Sequence, residues 1–107
     1  MKFAHKQFIE CLRSSRFFEA HEVIEHIWFP IRQSDHPEKN ILRGLINASV
    51  SFELIQRGRP EAARRVWQTY LKYRPLIETC SSENRNYYQE IVKTIEAVYK
   101  KFEDIYG

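Results

Sequence analysis

Residues 37–60 read PEKNILRGLINASVSFELIQRGRP, and their pattern decides the architecture. Ile41, Leu45, Ala48, Phe52 and Ile55 recur on one helical face, and Leu42, Ile46, Val50 and Leu54 on a second. A helix that is apolar on two sides belongs in the middle of a bundle. Gly44, Asn47 and Ser51 make a narrow strip of small and polar residues between the two stripes. Pro37 suits the first helical position, with Asp35 or His36 before it as a cap. Gly58 suits the helix end, and Pro60 starts another helix directly after it. The spacing therefore predicts an antiparallel helical hairpin.

Beyond the hairpin, residues 60–74 bury Ala63, Val66, Trp67 and Tyr70, and Pro75 should kink or end that helix. Thr79 to Ser82 is a polar break. In the last helix Tyr88, Ile91, Val92, Ile95, Val98, Tyr99, Phe102, Ile105 and Tyr106 share one face. Before the hairpin, residues 16–29 form a helix that stops near Pro30, and residues 32–36 form a polar loop. A short first helix over residues 3–13 carries Phe3, Phe8, Ile9 and Leu12 as its stripe. Ser14-Ser15 breaks it and offers the next helix an N-cap. No strand pattern and no internal repeat is present. The fold class expected is all-α: one domain over residues 1–107, a bundle of about five helices, a short first one and four longer ones.

Composition narrows the class. The hydrophobic fraction is 43%, with seven Phe, six Tyr and two Trp, which is enough for a core and excludes disorder. Three Gly and four Pro are too few for a turn-rich sheet fold. Cys11 and Cys80 form no disulfide framework and read as reduced thiols. Charge near Met1 argues against a signal peptide, and no apolar run approaches the ~20 residues of a membrane span. A cytoplasmic protein is expected. Net charge is +3, and all of the excess lies beyond residue 53. Between residues 57 and 74 six basic residues face only Glu61.

The most unusual chemistry lies in residues 17–28, FFEAHEVIEHIW. His21, Glu25 and Trp28 stack at i, i+4 and i+7, flanked by Phe17, Phe18 and Ile24. An ordinary pattern would put Leu or Val on such a face, and two ionisable groups there need partners or a task. Three readings fit. His21 and Glu25 could place a nitrogen and an oxygen on one divalent metal, as in a hydrolase-like enzyme. The third ligand would come from His5, Asn47, Glu53 or His36. The string His-Glu-x-x-Glu-His matches neither metalloprotease spacing. Glu22 and His26 form a second i, i+4 pair rotated ~100° away. The pair could instead be structural, with Glu25 fixing the His21 tautomer and tying this helix to the next through Asn47 or Ser51. Or the aromatic walls could form a pocket for a ligand or a partner chain. Arg57, Arg59, Arg64 and Arg65 suggest anion or nucleic-acid binding at the hairpin turn. Against that, a charged stripe opposite an apolar one is the ordinary solvated face, and no nucleic-acid motif is present. The apolar surfaces of the hairpin's first helix and the last helix also permit a homodimer.

The segments FEAHEVIE at 18–25, Trp28, RGLINA at 43–48 and Arg57-Gly58 resemble the bacterial and archaeal family called domain of unknown function 309. The resemblance covers roughly residues 8–73. It implies a helical bundle and a shared polar motif, here His21, Glu22, Glu25 and Trp28, and no activity. This chain departs from the pattern in three places. Ser14-Ser15 replaces a small turn glycine, Asn47 stands where a glutamine is more usual, and Ala62-Ala63 stands for Gly-Ala.

Overall fold

In a computed structural model that describes residues 2–107, the chain folds as one all-helical bundle measuring 35 × 23 × 23 Å. The elements in order are α1 (Lys2–Arg13), α2 (Phe17–Trp28), a 3-10 turn (Phe29–Ile31), α3 (Lys39–Gln56), α4 (Pro60–Tyr73), α5 (Pro75–Glu78), α6 (Arg85–Lys101) and α7 (Glu103–Tyr106). The hairpin of α3 and α4 and the central place of α3 are as the apolar pattern predicts. α3 packs most extensively against α4 and next against α2, while α1 packs against α2 and α6. Its first stripe is the core: Ile41, Leu45, Ala48 and Phe52 are buried, joined by Leu42 from the second. Gly44 is what lets α4 come close. A Cβ there would sit 3.1 Å from the Tyr73 Cβ.

Several boundaries move, each for a local reason. The first helix is no shorter than the second, since α1 and α2 each have 12 residues. Phe3 is not part of its buried stripe and is 76% exposed; His5 occupies the inward position instead. Ser14-Ser15 does not cap α2 through a side chain, because the Ser14 hydroxyl donates back to the Glu10 carbonyl. Ser15 takes φ +60°, and the Arg16 N–H then donates to the Cys11 carbonyl at 2.8 Å. That six-to-one closure is how a helix ends on a left-handed residue. Gly58, with φ +73°, ends α3 the same way, Arg59 N–H donating to the Leu54 carbonyl at 2.9 Å. Pro37 precedes α3 rather than starting it. His36 Nδ1 accepts the Glu38 N–H at 3.1 Å and shapes that turn. Pro75 kinks the chain and begins α5. The last helix is not continuous. It breaks at Phe102 (φ −116°, ψ 8°), and α7 follows at a new angle.

The break keeps the aromatic face on the core. Phe102 packs on Phe17 and Phe52, and Tyr106 on Trp67 and Tyr99. Trp67 and Tyr99 stack with their planes 10° apart. Ser51 donates to the Ala63 carbonyl at 2.6 Å, so the Tyr106 hydroxyl, also 2.6 Å away, must donate to Ser51. Burial pushes the Tyr106 phenol up to about 12, against the lowering effect of its Ser51 hydrogen bond. Ser51 therefore joins α3 to α4 and α7. Val66 is only half-buried. No described helix is long and apolar enough to cross a membrane.

Candidate functional site

α2 runs without Gly or Pro, and its inward residues Phe17, Ala20 and Ile24 are fully packed. That anchoring leaves His21 one step from the core, 16% exposed, against α3. Two carboxylates flank its ring. Nε2 lies 3.6 Å from Oε2 of Glu25, one turn along α2, and Nδ1 lies 3.7 Å from Oε2 of Glu53 on α3. Both distances suit charge attraction and are too long for a hydrogen bond. Nδ1 is buried and has no hydrogen-bond partner among the described residues. Phe18 meets the imidazole edge-on, with centroids 5.0 Å apart.

Glu53 is the deeper of the two acids, its side chain 12% exposed, against 49% for Glu25. A carboxylate that deep needs a counter-charge. Arg57, one turn on, supplies it at 2.8 Å while remaining mostly exposed itself. The result is a string of alternating groups, Glu25–His21–Glu53–Arg57, running from the α2 surface through the α2–α3 contact and out again.

The sequence-predicted residues fall out as follows. His21 is inward, as its position on the face predicts, but Glu25 sits at the rim. Glu22 is exposed. Trp28 is half-buried against the core. Asn47 does not reach α2: its amide donates to the Arg43 carbonyl in its own helix at 2.7 Å. The tie expected through Asn47 or Ser51 is made by Glu53, six residues beyond Asn47 in α3. The signal for it lay in the i, i+4 spacing of Glu53 and Arg57. His5 lies on α1 beside Glu90 of α6 and does not join the cluster. Among the described residues no three His, Cys, Asp or Glu side chains gather around a point that could hold a metal ion. His21 approaches the two carboxylates with different ring nitrogens, Nε2 toward Glu25 and Nδ1 toward Glu53.

At the outer end of this string, Glu25 lines a shallow groove of about 370 Å³ with Glu22, His26, Phe29 and Pro30. Phe18 and Phe29 are each about half exposed, at 50% and 54%. The Arg32 guanidinium lies 3.5 Å above the Phe29 ring and donates to the Phe29 carbonyl. Sequence reasoning missed Phe29 and Pro30, which the 3-10 turn after α2 brings alongside the glutamates.

The four arginines of the hairpin turn lie in three settings. Arg57 is paired with Glu53, and Arg64 donates to the Ile105 carbonyl at 2.9 Å. Arg59 and Arg65 border a shallow groove that also contains Glu61.

The model of a family described as a domain of unknown function (DUF309) matches residues 5–66. That span includes α2, α3, the cluster between them and the start of α4. No curated protein and no solved structure matches the chain.

Proposed function

This chain belongs to the DUF309 family, whose description assigns no activity, and from that premise we propose that it is a binding protein whose outer α2 face receives a cationic, partly apolar segment of a partner. The observation that carries the reading is the mounting of Glu25. Its half-exposed carboxylate lies 3.6 Å from His21, which in turn lies 3.7 Å from Glu53, the partner of Arg57. A carboxylate with such a neighbour on one side and solvent on the other is open to a cation from outside. Glu22 lies one turn earlier on the same side, and the exposed rings of Phe18 and Phe29 flank the pair. Acidic groups between aromatic anchors suit a basic amphipathic segment. In this reading His21 is a positioning residue.

The test is an amide-shift titration of the labelled protein with a helical peptide of leucine and lysine. Shifts should concentrate at residues 18–31. They should vanish in the Glu22→Gln/Glu25→Gln variant, which loses two exposed carboxylates and keeps its fold. His21→Ala should weaken binding and cost about 1–3 kcal/mol of stability, since it removes one of the two groups facing buried Glu53. Shifts that survive unchanged in the double variant overturn the proposal.

A further inference from the structure

A second groove lies elsewhere, between α1 and α6. One section, about 480 Å³, is lined by α1 from His5 to Ser14 and by Glu90. A second, about 270 Å³, runs on along α6 to Lys101. The two adjoin at Arg13 and Glu90, which border both. Ile9, Ala97 and Val98 contribute an apolar floor.

Its charges are unevenly committed. Both carboxylates of the groove have a basic neighbour: Glu10 lies 3.7 Å from Arg16, and Glu90 lies 3.0 Å from the His5 Nε2, without a hydrogen bond. Lys6, Arg13, Lys93 and Lys101 make no ion pair among the described residues. His5 adds a further group. It is only 5% exposed, packs against Tyr87 with ring centroids 4.7 Å apart and planes tilted by 43°, and neither ring nitrogen has a hydrogen-bond partner among the described residues. The groove therefore offers four free cations around an apolar floor. Lys6 and Arg13 are two helical turns apart, about 10.5 Å, and Lys93 and Lys101 about 12 Å. Carboxylates one heptad apart on a facing helix span the same distance.

We propose that the α1–α6 groove is a second docking site, and that its occupant is an acidic amphipathic helix of a partner protein. The basis is charge complementarity together with the matching periodicity of its free cations. A nucleic acid fits less well. Glu90 sits where the two sections join, in the path of any evenly spaced phosphate backbone, whereas a peptide's carboxylates can be spaced to miss it. The site is independent of the α2 face. One of its walls is α6, beyond the matched residues 5–66, so the proposal is argued from this chain alone.

The experiment uses two fluorescent helical peptides with the same leucine stripe, one bearing glutamates a heptad apart and the other lysines. Anisotropy and amide shifts are read on the whole chain at low and moderate salt. The glutamate peptide should bind saturably, more weakly as salt rises, and perturb residues 5–14 and 90–101. Arg13→Glu/Lys93→Glu, with both positions exposed, should fold normally and lose about tenfold or more in affinity. The proposal is overturned if the glutamate peptide fails to bind at millimolar concentration. Equal binding of the lysine peptide at this groove, shifts that map elsewhere, or displacement of the peptide by oligo-uridine RNA also overturns it. Loss of the lysine peptide's binding to α2 would leave this result untouched, so failure of one site does not imply failure of the other.

Discussion

Ser15 and Gly58 do the same job at the ends of two helices, and only one of them suits it. A left-handed conformation costs an L-residue roughly 1–2 kcal/mol, while glycine adopts it freely at some cost in unfolded-state entropy. Ser15→Gly should therefore stabilise the protein by up to about 1 kcal/mol, read as a raised urea midpoint with unchanged slope. The same position shows why residue roles are hard to read from sequence. Serine after a helix and before another is equally a stop and a start signal, and here the stop prevails. Glu38 carries a second expectation. Burial raises its pKa, but hydrogen bonds from Tyr88, Asn84 and Ser82 outweigh that and hold it below the ordinary 4.5. A carboxyl depressed by folding stabilises above its unfolded value, and that stability is lost as pH falls through the folded one. The protein should lose stability on acidification below about pH 4.5, and Glu38→Gln should flatten that part of the profile in denaturant melts. Of the His21 cluster, the sequence made the inward imidazole legible, since it follows from helical phase alone. Its partner across the contact was legible only as one of four candidates, because which α3 residue faces α2 depends on how the two helices pack.

Among the elements, α3 and α4 were readable because their punctuation and periodicity agree: Gly58 and Pro60 mark the turn and the apolar stripes mark the faces. The break at Phe102 was not readable. No glycine or proline announces it, and the aromatic spacing continues across it, because the bend preserves which side faces the core. Gly44 was legible only as a small residue in a strip; its purpose appears when α4 is in place. Gly44→Ala brings two opposing effects. Alanine gains about 1 kcal/mol of helix propensity. Yet its Cβ would press on Tyr73 at 3.1 Å, where the neighbour is rooted in the α4 backbone and cannot swing aside. Overpacking of this kind costs about 1–3 kcal/mol, so a net loss near 1 kcal/mol is expected, visible as a lowered thermal midpoint.

Across the whole molecule, opposite charges are dealt to different faces. α2 presents glutamates between exposed rings, and the α1–α6 groove presents lysines and arginine over an apolar floor. The bundle that carries them is built around a local hairpin and closed by distant contacts: α1 packs on α6, Phe102 on Phe17, and the Tyr106 hydroxyl bonds to Ser51, 55 residues away. A contact so distant must wait until the loop between its ends has been paid for in entropy, and the local α3–α4 hairpin has no such delay. The clasp should thus form after the rate-limiting step. Tyr106→Phe should leave the refolding rate in stopped-flow fluorescence nearly unchanged and accelerate unfolding. The last residues of this chain would then govern how long a folded molecule survives, and have little say in how quickly it is made.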